Sequence, residues 1–328
     1  MKRILFITPF TPCNKDAGSN YTKQLLEKLS LSNQIDLCYF KYKNDPLYNP
    51  SNKNIQIIKK FSNNKLLKIT NIIFFPFLFP LFTVRFNWII LIQLYYLTRK
   101  RNYDIIYCDF SQTFLYAKFL RHNNIILMSH DVIYQRFSRK KINFKTWIKY
   151  SENWVLHGKN KHTFTFSPKD NQLLSTLYDI KSKDVCFFIP QSIYNTTPST
   201  LTNNIIFFGM WKRADNYQSL EWFIDNILPH ITCNTTIIGG GLPNHLNDKI
   251  KKLKNIQYIG FIENPYPIIA NAKALLSPLF SGAGVKVKVI EALACGTPVI
   301  GSKIAFEGID NIYHNFMIEV NTIPEYIT

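Results

Sequence analysis

Short unbroken apolar runs alternate with longer amphipathic stretches along the whole chain. The runs at 4–8, 34–40, 55–59, 103–109 and 125–129 have the length and composition of strands buried on both faces. Helical spacing of apolar positions follows at 19–31, 143–160 and 168–177. Further strands are predicted at 163–167, 185–190, 205–208, 235–238 and 256–261. Strand and helix thus alternate in two halves, which predicts α/β architecture: two parallel-sheet domains with a cleft between their carboxyl edges. A polar segment at 194–203, carrying Pro198, sets the expected boundary, with domains at 1–195 and 196–328. The last elements predicted are one more strand and about one helical turn.

The segment 66–97 departs from this pattern. It contains IIFFPFLFPLF and WIILIQLYYL, but Pro76 and Pro80 break the first run and Arg85 with Asn87 separates it from the second. A membrane span needs about 20 mostly apolar residues, so no transmembrane helix is predicted. Its aromatic content, flanked by Lys65, Lys68, Arg99, Lys100 and Arg101, fits an interfacial membrane contact. A core helix followed by a loop fits equally well, and both readings stay open at this point.

Charge sharpens the contrast between the halves. Residues 1–198 hold 29 Lys/Arg and 11 Asp/Glu, whereas residues 199–328 hold 10 of each, so the net charge of +18 lies in the first domain. No zinc-finger or RNA-binding motif accompanies this charge, which favours an anionic membrane leaflet or an acidic lipid-linked substrate over nucleic acid. Six scattered cysteines, never at C-x-x-C spacing, suit a reducing cytoplasm and suggest neither a zinc site nor a disulfide framework. The opening MKRILFITPF is too short an apolar run for a signal peptide and reads as the first strand.

Candidate chemistry concentrates in SPLFSGAGVKVKVIEALACGTPVIGS, residues 277–302. A strand enters a small-residue turn with Gly282 and Gly284, and a helix follows over about 285–294, stopped by Gly296 and Pro298. Lys286 and Lys288 oppose the helix dipole in its first turn, which makes sense if an anion sits there on free backbone N–H groups. Glu291, among apolar neighbours, needs a hydrogen-bonding partner, and a ribose diol would supply two hydroxyl donors. A solvated lysine edge and a salt-bridged glutamate would account for the same residues, so spacing alone leaves both options standing.

The run G-x-G followed by K-V-I-E-A-L-A-C-G-T-P-V-I resembles the donor-site signature of family 4 glycosyltransferases with the GT-B fold, in the branch with a glycine-rich turn. The resemblance implies two Rossmann-like domains facing across a cleft, with the donor pyrophosphate at this helix and its ribose on Glu291. It also implies basic residues on the donor phosphates in the loop after 205–208, here Lys212 and Arg213. Ala283 stands where most of the family has a second glutamate, as it does in the glycine-rich branch, so contact of that carboxylate with the transferred sugar is not carried over.

In the first domain, the loop after the opening strand carries Asp16 and Gly18 at a sheet edge where ligands usually bind. The resemblance places such a glycine near acceptor and donor phosphates. His130-Asp131-Val132 ends the strand 125–129, and family members often have H-D-V there, with the histidine at the reaction centre. His130 and Glu291 are thus the expected catalytic residues, with Asp131 in support. The implied activity is sugar transfer from a nucleotide-diphosphate sugar to a lipid-linked or other saccharide acceptor, with retention, in lipopolysaccharide or surface-polysaccharide synthesis. The implied location is peripheral, at the cytoplasmic face of the membrane. No D-x-D pair is present and no metal or other cofactor is expected. The resemblance also implies further C-terminal helices after the last strand, which would make this an apparently short ending, and an inactive nucleotide- or membrane-binding relative is an alternative that this and Ala283 motivate. A nucleotide-sugar epimerase is another, but it needs further acid–base carboxylates.

Overall fold

The computed structural model describes residues 1–327. The chain forms two compact units, Met1–Phe188 and Ile189–Thr328, each built on one parallel sheet. The strands of the first unit are β1 (Lys2–Thr8), β2 (Asn33–Phe40), β3 (Ile55–Phe61), β4 (Ile105–Asp109), β5 (Ile125–Met128), β6 (Lys161–Thr165) and β7 (Ser182–Asp184). Their order is β3-β2-β1-β4-β5-β6-β7, all parallel. The order reverses direction between β1 and β4, the kind of switch point where α/β sheets bind ligands.

The second unit contains β8 (Asn204–Phe208), β9 (Asn234–Ile238), β10 (Ile256–Gly260), β11 (Ala274–Ser277), β12 (Val299–Gly301) and β13 (Met317–Glu319). They are parallel in the order β10-β9-β8-β11-β12-β13, with the switch between β8 and β11. Apolar runs such as Ile4–Ile7 and Ile205–Phe207 are buried because helices cover both faces of a parallel sheet.

Two details differ from the sequence expectation. The segment 185–190 is not a strand. The sheet ends at β7, and the chain then turns back so that Phe187 packs on Tyr21 and Phe166, while the Lys28 ammonium lies 3.9 Å over the Phe188 ring. Burying two aromatic rings against the helix Ala17–Ser30 takes precedence over extending the sheet edge. The units also divide after Phe188, ahead of the linker, because the short helix Gln191–Tyr194 buries Ile193 and packs on the helix Val287–Ala294 of the second unit.

The segment 66–97 folds as three helices, Lys65–Phe74, Pro80–Thr83 and Trp88–Lys100. Pro80 starts the second, where its missing N–H is harmless, and Asn87 caps the third by accepting from the Ile89 and Ile90 N–H groups. Phe75, Leu78, Phe82, Phe86, Ile90 and Leu94 enter the main core of the first unit. Among the described residues no helix is long and apolar enough to cross a membrane.

Candidate functional site

Three loops at the carboxyl edge of the second sheet come together around the helix Val287–Ala294. Gly209 after β8 and Gly239 after β9 bring the first two into backbone contact. Gly239 has φ +118°, and a Cβ there would lie 1.9 Å from the Gly209 carbonyl oxygen, so no other residue fits. The loops are then joined by Gly209 N–H to Ile238 C=O (3.1 Å) and Trp211 N–H to Gly240 C=O (3.0 Å).

The third loop follows β11. Gly282 (φ +139°) and Gly284 (φ +65°) hold its backbone in left-handed conformations, which delays the helix to Val287. Lys286 is therefore the extended residue before the helix, not part of its first turn, and only Lys288 is helical. The Lys286 ammonium folds back to the Gly284 carbonyl (2.6 Å) and lies 3.9 Å from Glu307. Ser281 donates to Asp215 in the first turn of the helix Ala214–Asn226, and Lys288 donates to Asn216 Oδ1 (3.3 Å). The Asn216 amide in turn donates to the Met210 carbonyl (2.9 Å).

Lys288 is not a solvated edge residue. Burial, followed by the charges of Arg213 and Lys286, pushes its ammonium down to about 7. Such a site disfavours its own cation until an anion arrives. Lys212 is exposed, as is Arg213, and its stem crosses Gly241, where a Cβ would meet Lys212 Cγ at 2.5 Å.

Glu291 is 7% exposed and forms no ion pair among the described residues, so the salt-bridged alternative falls away. Its one side-chain hydrogen bond among the described residues comes from the Tyr266 hydroxyl, 3.0 Å from Oε1. Burial raises its carboxyl to about 7, and the Tyr266 bond only partly offsets this. Glu291 lies four positions after Val287, about 6 Å along the axis. The cationic loop and a carboxylate short of donors therefore stand one helical turn apart.

In the first unit, His130 Nε2 lies 2.7 Å from Asp109 Oδ1. Asp109 is wholly buried, and its other oxygen accepts from Thr8 (3.1 Å) and Thr22 (2.7 Å). Asp109, an acceptor, therefore faces an Nε2–H donor, which leaves Nδ1 for another partner. The Phe110 ring stacks flat on the imidazole, centroids 3.4 Å apart and planes 11° apart. Phe110 has φ +60°, a strained backbone for a bulky residue, of the kind that gathers at functional sites. Gly18 lies against the Phe110 ring, where a Cβ would come within 3.1 Å of Cζ.

Asp131 and Asp16 have other partners. Asp131 pairs with Arg136, and Asp16 caps the helix Ala17–Ser30 by accepting from the Ser19 N–H (2.9 Å) and hydroxyl (3.1 Å). The H-D-V segment is fixed instead by Glu152. Its buried carboxylate accepts from the Ile133 and Tyr134 N–H groups (2.7 and 2.8 Å) and from the Tyr178 hydroxyl (2.7 Å). Burial raises this carboxyl too, to about 7.

Asp109, Phe110, Glu152, Asn216, Tyr266 and Glu307 are the partners that sequence reasoning missed. Asp109 was visible as an acid closing a strand, but its link to His130 depends on β4 and β5 being neighbours.

Two parallel-sheet units of this topology match solved structures of the GT-B fold. The family model described as "Glycosyl transferases group 1" matches residues 202–327. TarM is similar in structure, with TM-score 0.69 and 12% identity over 100% of this chain and 90% of its own. WaaG, a glycosyltransferase involved in lipopolysaccharide biosynthesis, gives 0.67 and 12% over 99% and 88%. HepE from Anabaena in complex with UDP gives 0.65 and 12% over 100% and 88%. No curated protein sequence matches the chain.

Proposed function

We propose that the protein is a glycosyltransferase that moves a sugar from a nucleoside-diphosphate sugar to a lipid-linked saccharide. The observation that carries this reading is the placement of the Arg213–Lys286–Lys288 cluster about the start of the helix that carries Glu291, a buried carboxylate whose one hydrogen-bond donor among the described residues is Tyr266. A nucleoside diphosphate has the complementary chemistry, with two phosphates for the cations and a ribose diol for the carboxylate. The group-1 match over this unit and the UDP held by the similar HepE support it.

In the reaction, an acceptor hydroxyl oxygen bonds to the anomeric carbon as the bond from that carbon to the β-phosphate oxygen breaks. The nucleoside diphosphate leaves with the bonding electrons, and the proton of the acceptor hydroxyl passes to the departing β-phosphate oxygen. Arg213, Lys286 and Lys288 stabilise the charge growing on the leaving group. His130, oriented by Asp109, engages a sugar or acceptor hydroxyl through Nδ1. We assign retention of configuration, no metal requirement, and a reaction at the cytoplasmic face of an anionic membrane in surface-polysaccharide synthesis.

Calorimetry with UDP, GDP and ADP on wild type and Glu291→Ala tests the donor site. Selective binding by one nucleotide, weakened at least about tenfold by the substitution, is expected. Equal binding by the variant, or none by wild type, overturns the reading. Activity should persist in EDTA, and NMR of the product anomer reads the stereochemistry.

A further inference from the structure

The helices Lys65–Phe74 and Trp88–Lys100 each carry an apolar stripe on the outside of the protein. On the first it is Leu66, Ile69 and Ile73, and on the second Ile89, Ile92 and Tyr96. Both sets follow i, i+3, i+7 spacing, so each forms one face, and all six side chains are more than half exposed. The helices meet where Phe74 packs edge-on against Trp88, centroids 5.8 Å apart, and Phe74 and Phe77 extend the exposed surface there.

This exposure is built in, not a product of loose packing. Asn63 donates to the Val84 and Phe86 carbonyls (2.9 and 2.8 Å), and buried Asn71 donates to the Thr83 carbonyl (3.0 Å). The Trp147 indole donates to the Phe77 carbonyl (2.8 Å), and Ser151 accepts from the Phe79 N–H (2.7 Å). The helix Trp88–Lys100 commits its opposite face to the core through Ile90, Leu91 and Leu94, and the helix Lys65–Phe74 is tied down on its inner side by buried Asn71, so the outer stripes cannot turn inward.

Charge selects the occupant. Between Asp45 and Asp104 the chain has nine lysines and arginines and no acidic residue, and between Asp131 and Glu152 it has six and none. The latter segment runs into the helix Lys145–Leu156, the element that Trp147 and Ser151 pin to Phe77 and Phe79 of the apolar segment. A second copy of this chain docking on the surface would bring these like charges together, whereas an anionic bilayer complements them. At 10 and 13 residues the helices are about 15 and 20 Å long, half to two-thirds of a bilayer core, and suit lying in the interface.

We infer that these two helices form an in-plane anchor that inserts its apolar stripes among the acyl chains of an anionic bilayer, with the surrounding lysines and arginines on the headgroups. This rests on the proposed membrane setting but not on the donor chemistry.

The test is co-sedimentation of the full chain with vesicles of phosphatidylcholine, alone or mixed with phosphatidylglycerol. Wild type should bind the mixed vesicles and bind neutral ones at least about tenfold more weakly. The triple variant Ile69→Gln/Ile73→Gln/Ile92→Gln should lose at least about tenfold in partitioning, with an unchanged circular dichroism spectrum because all three sites are exposed. Lys65→Glu/Lys68→Glu should weaken binding to mixed vesicles only. Failure of wild type to bind mixed vesicles, or full binding by the triple variant, overturns the anchor. So does lipid-free self-association of wild type that the triple variant abolishes, since that assigns the surface to a second copy. Nucleotide titrations of the triple variant should match wild type, so loss of the anchor and loss of the donor site are told apart.

Discussion

Replacing Glu291 by glutamine should make the protein more stable and worse at binding nucleotide. Burial raises the Glu291 carboxyl from the ordinary value of 4.5 to about 7. The folded state thus holds this proton more tightly than the unfolded chain. Stability from this group is complete below pH 4.5 and is lost as pH rises through about 7. The shift corresponds to about 3 kcal/mol of opposition to folding above neutrality, as an order of magnitude. Glutamine keeps an oxygen for the Tyr266 hydroxyl and carries no charge, so it escapes the penalty. Urea unfolding at about pH 8 should show the variant more stable by roughly 1–3 kcal/mol, with the gain vanishing near pH 4.5. Binding should move the other way. Trading a carboxylate for an amide removes the charge assistance of two ribose hydrogen bonds and turns one acceptor into a donor, for a loss of at least about tenfold at pH 8. That loss should shrink below about pH 6, where wild-type Glu291 is itself mostly protonated. A variant that is less stable at pH 8, or that binds nucleotide as wild type does, would refute the reasoning.

Three further outcomes are expected. A bound diphosphate should recharge Lys288, so wild type takes up a proton on binding near pH 7–8. Calorimetry in buffers of different ionisation enthalpy reads this uptake, and Lys288→Met should abolish it along with about tenfold in affinity. Asp109→Asn lets an amide N–H face Nε2 and reverses the His130 tautomer. Turnover should fall by about 10²-fold or more with nucleotide affinity unchanged, and ¹⁵N NMR of the imidazole should report the proton on Nδ1. Gly239→Ala drives a methyl group into the Gly209 carbonyl and should destabilise the second unit by about 3 kcal/mol or more in urea unfolding; an unchanged midpoint would refute the close approach.

The alternation of apolar runs and amphipathic stretches was sufficient to predict two parallel α/β units, because strands covered on both faces must be apolar throughout. It failed at 185–190, where Phe187 and Phe188 have strand-like neighbours but bury their rings on Tyr21 and beside Lys28 instead. Local sequence also singled out Gly282, Gly284, Lys286, Lys288 and Glu291, since a glycine turn, misplaced lysines and a glutamate among valines and alanines violate local rules. It could not say that Lys288 is half-buried near Arg213, that Tyr266 is the donor to Glu291, or that Asp16 caps the helix Ala17–Ser30. Nor could it pair Asp109 with His130 or close Gly209 on Gly239. Those relations join residues from different strand ends, so they exist only once sheet order sets the neighbours. The outward stripes at 66–73 and 89–96 lie between the two cases. Their apolar composition was plain in the sequence, but which face is left exposed was decided by the core that claims Phe82, Phe86 and Ile90.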